Sequence, residues 1–223
     1  MDHDEAGRAV IPDDLLGLFR TSIQTHRHLI WLFSGSHRIS ELKHAEWPSY
    51  LISVRTVELN RFTLEETSAL LTDPLAYSKL YQRAASRPRF APEFWGTDGL
   101  RRIQTVADGW PHLVVLLAET CVNLVNQQNV PFVSDELFVE VRRIAVVSGE
   151  NVMIQLLKNE SELPGEWNYL LGFREHDALP LPSDPAIRKS LLRRSLVTID
   201  NDEVRLRVPL MLQWLRERAE LLD

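Results

Sequence analysis

Few residues in this chain have types and spacings suited to chemistry, and most of those lack partners. His26 and His28 lie two apart. A structural zinc site uses about four ligands, and no thiolate or carboxylate neighbours this pair, so both read as surface residues. Cys121 is the only cysteine, which excludes an intrachain disulfide and a multi-cysteine metal site and fits a reducing compartment. Ser36 sits beside His37, but adjacent side chains do not generally face each other for proton transfer. No His-Glu-x-x-His, Gly-x-Ser-x-Gly or Gly-rich dinucleotide fingerprint occurs. None of the nine glycines precedes a lysine, so Gly-x-x-x-x-Gly-Lys-Ser/Thr is missing and no P-loop cradles phosphates. Any nucleotide chemistry must borrow that loop from outside this sequence.

The remaining candidate is a charge cluster. Between Arg188 and Arg218 the sequence holds eight basic residues (Arg188, Lys189, Arg193, Arg194, Arg205, Arg207, Arg216, Arg218) against four acidic ones, a local charge of +4. Such a patch suits phosphate contact, or else a solvated face or a surface docked on acidic residues elsewhere. The acidic stretch Asp200-Asn201-Asp202-Glu203 and the overall charge of −6 favour the second reading, because nucleic acid and anionic lipid are polyanions. Neither nucleic acid nor membrane is the expected partner.

The elements that must position these groups follow from patterning. With 223 residues, 44% hydrophobic and 25% charged, the chain has the composition of a core-forming protein. Its charged start, Met1-Asp2-His3-Asp4-Glu5, lacks the apolar stretch of a signal peptide, and the longest apolar runs, Leu29–Phe33 and Leu113–Ala118, fall short of the ~20 residues that span a bilayer. A cytoplasmic location is expected. Helical spacing covers Pro12 to His28. Leu29–Phe33, stopped by Ser34-Gly35-Ser36, suits a strand buried on both faces, and Leu51–Leu59 offers a second strand. From Thr63-Leu64-Glu65-Glu66, a capping box, a helix runs to Leu71. Further helices are expected at Leu100–Ala107, His112–Gln127, Asp135–Val147, Val152–Leu157, Ala186–Arg194 and Pro209–Leu222. Two β-type runs flank Asp200-Asn201-Asp202 as a hairpin. Helix, hairpin and helix at a chain's end is a winged-helix pattern.

In order, the elements resemble the part of a STAND-type P-loop ATPase, a relative of AAA+ ATPases, that follows the P-loop. The resemblance rests on Asp4-Glu5, Ile11-Pro12-Asp13-Asp14-Leu15-Leu16, Leu29-Ile-Trp-Leu-Phe-Ser-Gly-Ser36, Val57-Glu-Leu59 leading into Phe62-Thr-Leu-Glu-Glu66, and Gly109-Trp-Pro-His-Leu113. It implies that Asp4 assists Mg²⁺ and Glu5 activates water, that Ser36 and Arg38 sit at a phosphate sensor, and that Gly109 and Pro111 belong to a lid motif packing on adenine. As plain structure, Asp4-Glu5 is a charged tail and Gly109-Trp110-Pro111 a helix stop and restart, since Gly suits a C-terminal cap and Pro a first turn.

The expected fold is therefore mainly α with a small α/β segment. Residues 1–60 are the residual C-terminal part of a P-loop NTPase core, 61–132 a helical lid, and 133–223 a winged helix. The expected function is the lid and winged-helix half of an ATP-dependent signalling switch, inactive alone, with ATP and Mg²⁺ bound only when an upstream P-loop segment or partner protein completes it. Self-association stays open. The alternatives are a winged-helix DNA-binding regulator using Arg188, Lys189, Arg193 and Arg194, or an adaptor that docks proteins on the helices of 63–147.

Overall fold

Helix ends in this protein fall at residues chosen for backbone geometry. The computed structural model describes residues 13–26, 28–32, 55, 57, 59–81, 87–159 and 163–219. Among them it is mainly helical with a small three-stranded antiparallel sheet. The chain divides into two units, Met1–Leu59 and Asn60–Asp223.

In the first unit, α1 (Asp13–Thr25) carries Phe19, whose ring meets Trp31 edge-on with centroids 5.5 Å apart. The expected strand at Leu29–Phe33 is not formed over its described residues. Leu29 to Leu32 are neither helix nor strand, and Ile30 and Leu32 are 97% and 92% exposed. Of the second expected strand, Leu51–Leu59, only residues 55, 57 and 59 are described; Arg55, Val57 and Leu59 are outside any strand and exposed. A strand buried on both faces requires hydrogen-bonded neighbours, and this unit has none among its described residues.

The second unit opens with α2 (Leu64–Thr72). Its capping box closes reciprocally, Glu66 N–H donating to Thr63 Oγ1 at 3.1 Å and Thr63 N–H to Glu66 Oε2 at 2.8 Å. Then come α3 (Gly99–Ala107) and α4 (Pro111–Gln128), the latter ended by left-handed Asn129. α5 (Asp135–Ser148) starts at Ser134, whose hydroxyl accepts from Leu137 N–H at 3.2 Å. α6 (Glu150–Ile154) runs into a π-turn at Gln155–Asn159. There follow α7 (Glu166–Leu171), β1 (Leu179–Pro180), α8 (Pro185–Arg193), β2 (Val197–Asp200), β3 (Glu203–Leu206) and α9 (Pro209–Arg218).

The sheet order is β1-β3-β2. β2 and β3 pair from Val197 opposite Leu206 to Asp200 opposite Glu203. The two residues between them, Asn201 and Asp202, both have positive φ, 49° and 64°, the demand of a two-residue hairpin turn that Asn and Asp tolerate. Alternation then sends Val197 and Val204 inward.

One apolar core serves the whole second unit. Ile103 of α3, Leu113 and Leu117 of α4, and Val141 and Ala145 of α5 join Leu196, Val204, Val208, Met211 and Trp214 in it. α4 packs on α5, and α9 packs on α3, α5 and α6. The bend at 129–134 lies between α4 and α5, which share this core.

Candidate functional site

The turn from α3 to α4 carries the Gly109-Trp110-Pro111 motif. α3 stops because Asp108 and Gly109 are both left-handed, with φ of 47° and 67°. A Cβ on Gly109 would lie 2.2 Å from Phe62 O and 2.8 Å from Gln104 Nε2, so only glycine fits. The backbone of Phe62 is held from both sides. Its N–H donates to Gly109 O at 2.7 Å, and its carbonyl accepts from Gln104 Nε2 at 2.7 Å. Thr67 Oγ1 in turn donates to Gln104 Oε1 at 2.5 Å. Trp110 is extended, as the residue before proline must be, and Pro111 opens α4 at a position that has no intrahelical amide partner to lose.

What this turn can bind is limited by its own hydrogen bonds. Asp108 N–H donates to Thr105 O, Gly109 N–H to Gln104 O, and Trp110 N–H to Ala107 O, at 3.2, 3.1 and 3.0 Å. Three successive amides are thus engaged, and the turn offers no nest for phosphate. Pro111 is half-buried and His112 exposed.

Beside the turn stands an ionic cluster that sequence reasoning missed. The Asp108 carboxylate pairs with Arg61 and, at 3.0 Å, with Arg207 Nε, just past β3. Arg61 also donates to Asp108 O at 3.2 Å and to the carbonyl of Ser195, which precedes β2. Its guanidinium lies over the Trp110 ring, 4.8 Å from the centroid. Burial is the main cause holding the Arg61 pKa below its ordinary value; Arg207 adds to that and Asp108 opposes it. Residues 47 and 99 positions from Asp108 in sequence meet at one carboxylate, and no local spacing announces that. The one available sign was residue type: Asp before Gly tolerates the left-handed backbone that ends a helix.

The other expected site residues divide sharply. Asp4, Glu5, Ser36 and Arg38 lie outside the described residues. Arg188, Lys189 and Arg193 are exposed on α8. Arg194 is separated from them: its side chain is only 10% exposed, paired with the fully buried Glu166, and it donates to Leu156 O at 2.9 Å. Ser190 Oγ donates to the same Glu166 oxygen at 2.9 Å. Four more cations of the cluster are paired. Arg205 meets Glu203 at 2.7 Å, Arg207 meets Asp108, Arg216 meets Asp177 at 2.6 Å, and Arg218 meets Glu150 at 3.2 Å. Asp108, Glu150, Glu166 and Asp177 come from outside residues 188–218, so the +4 of that segment is largely met by carboxylates elsewhere in the unit.

Two further features bear on chemistry. Among the described residues no group of three or more His, Cys, Asp or Glu is arranged to hold a metal ion. A groove of about 220 Å³ between α4 and α5, lined by Leu116, Glu119, Thr120, Asn123, Ile144 and Ser148 among others, is smaller than the ~300 Å³ at which small-molecule sites usually begin.

Comparison with protein families, curated proteins and solved structures finds no match. The functional reading therefore rests on this geometry and on the sequence motifs. The groups it brings together are the Gly-Trp-Pro turn, the Arg61–Asp108–Arg207 cluster and the base of the β2–β3 hairpin.

Proposed function

We propose that residues 60–219 are the lid and winged-helix half of an ATP-dependent switch of the STAND type. In this reading α2 to α4 form the lid, and α5 onward, with the β2–β3 hairpin and α9, forms the winged-helix part. One observation carries it. The Gly109-Trp110-Pro111 turn opens the 18-residue α4 and is tied through Asp108 to Arg207, just past β3. A base packed on Pro111 would act on the turn, and the turn is bonded to the base of the hairpin.

The residues present fit one end of a nucleotide only. In this reading adenine packs on the half-buried Pro111, while the amides of 108–110 are spent on the turn's own hydrogen bonds and the sequence holds no P-loop for the phosphates. The phosphates and Mg²⁺ belong with a P-loop segment, which supplies the hydrolytic chemistry when present. The chain itself contributes orientation: Gly109 lets the turn approach Phe62 closely, and Arg61 and Arg207 fix its carboxylate.

Calorimetry and a phosphate-release assay test this on the chain alone. A phosphate cradle contributes several charge-assisted hydrogen bonds of about 1.5–3 kcal/mol each, so its absence costs orders of magnitude in affinity. The expected outcome is no turnover and no micromolar binding of ATP with Mg²⁺. Micromolar binding or steady turnover contradicts the reading.

A further inference from the structure

We propose that Asp108 is an electrostatic latch. It holds the base of the β2–β3 hairpin against the α3–α4 turn, under the control of Arg61 in the segment that opens the second unit. The inference does not depend on nucleotide, and its test is made without any.

Three segments are joined at this cluster. Arg61 and Phe62 belong to the strand-less stretch before α2. Phe62 is bonded through its backbone to Gly109 and Gln104, so this stretch and the turn move together. The Arg61 guanidinium reaches past the turn to Ser195 O, while its other arm binds Asp108. Ser195 is itself left-handed, φ 54°, and its N–H donates to Leu192 O at 2.9 Å, closing the end of α8. On the other strand Arg207 N–H donates to Leu196 O at 2.8 Å while its Nε meets Asp108. One carboxylate and two guanidiniums therefore bridge the entering segment, the turn and both strands at the hairpin's base.

Burial makes this a latch and not a permanent weld. The side chains of Arg61, Asp108 and Arg207 are 18%, 28% and 35% exposed. Charges so placed are shielded enough to attract strongly, yet water and ions reach them. The cluster has two cations and one anion, so loss of Asp108 turns attraction into repulsion between Arg61 and Arg207. The apolar anchors Leu196 and Val204 stay buried, which keeps the opening local to the base.

Hydrogen exchange of the full, nucleotide-free chain is the test, read at low salt and at high salt. Asp108→Asn keeps the side chain's shape and its tolerance of left-handed backbone. It should speed exchange by about fivefold or more at 195–197 and 206–208, with the amides of α4 and α5 unchanged, because the opening is sub-global. Salt should speed the same amides in the wild type and have little effect in Asp108→Asn. Arg61→Gln should loosen 195–197 as well as 60–62. If Asp108→Asn fails to fold, Arg207→Gln and the salt response of the wild type carry the same reading. Unchanged exchange at the hairpin base, equal acceleration in every helix, or a salt response that survives Asp108→Asn overturns the latch. Loosening confined to 60–62 in Arg61→Gln overturns the control by the entering segment.

Discussion

Leu29–Phe33 and Leu113–Ala118 are the protein's two longest apolar runs, and their described residues end in opposite states. In the first, Ile30 and Leu32 are almost wholly exposed and no strand forms. In the second, Leu113, Val114 and Leu117 are fully buried in α4, packed against α3 and α5. Composition does not separate them. The difference is that the second run sits in an 18-residue helix with Gly-Trp-Pro before it and Asn129 after it, so one face can meet neighbouring helices. A run of apolar residues gains its free energy only where another surface takes water's place.

That contrast can be broken by experiment. The largest effect is expected at Leu117→Ala, which removes a fully buried side chain and should cost about 2–5 kcal/mol in denaturant unfolding. A cost below about 1 kcal/mol would mean that α4 is not packed as described. Gly109→Ala comes next. It forces a methyl against Phe62 O and places a side chain at positive φ, and the backbone term alone is about 1–2 kcal/mol. Equal stability of the alanine variant would show that the turn does not approach Phe62.

Cys121 sharpens the comparison from inside α4. Burial pushes its thiol pKa up to about 12, so the native thiol stays neutral and should react with alkylating reagents at least about a hundredfold more slowly than in urea. The sign follows from the raised value. Its contribution to stability is complete below the unfolded thiol's ordinary pKa and is lost as pH climbs from there toward 12. Rapid labelling of the folded chain at neutral pH would contradict the burial of this helix face. The smallest effect belongs to the other run: Ile30→Ser with Leu32→Ser should change the unfolding free energy of the second unit by no more than about 0.5 kcal/mol. A large loss would show that these side chains are covered.

Much of the second unit was legible because its boundaries are written in local chemistry. Thr63 with Glu66, Asn129 after α4, Ser134 before α5 and the Asn201-Asp202 turn each satisfy or terminate backbone groups within a few residues. α7 and β1 were not legible. α7 is six residues long and follows a π-turn, and β1 is a two-residue strand defined by its pairing with β3, so neither has a period to read. The strands read at Leu29–Phe33 and Leu51–Leu59 came from apolar content without evidence of partners. The site was half legible. Gly109 and Pro111 stood out as punctuation, and the structure accounts for both by packing and helix initiation. The pairing of Arg61, Asp108 and Arg207, and of Arg194 with Glu166, was invisible, because each joins residues at least 28 positions apart. Counting charges within residues 188–218 missed the four carboxylates that come from elsewhere.

We propose the Gly-Trp-Pro turn as the nucleotide-facing edge of a lid joined to the hairpin. The most direct measurement is a titration of the isotope-labelled chain with ATP and Mg²⁺, followed amide by amide by NMR. Binding should be weak, saturating only at about millimolar ligand, with shift changes centred on Gly109 to Leu113 and reaching Ser195 and Arg207. Changes confined to Arg188, Lys189 and Arg193, saturation at micromolar ligand, or no change at the turn would contradict it.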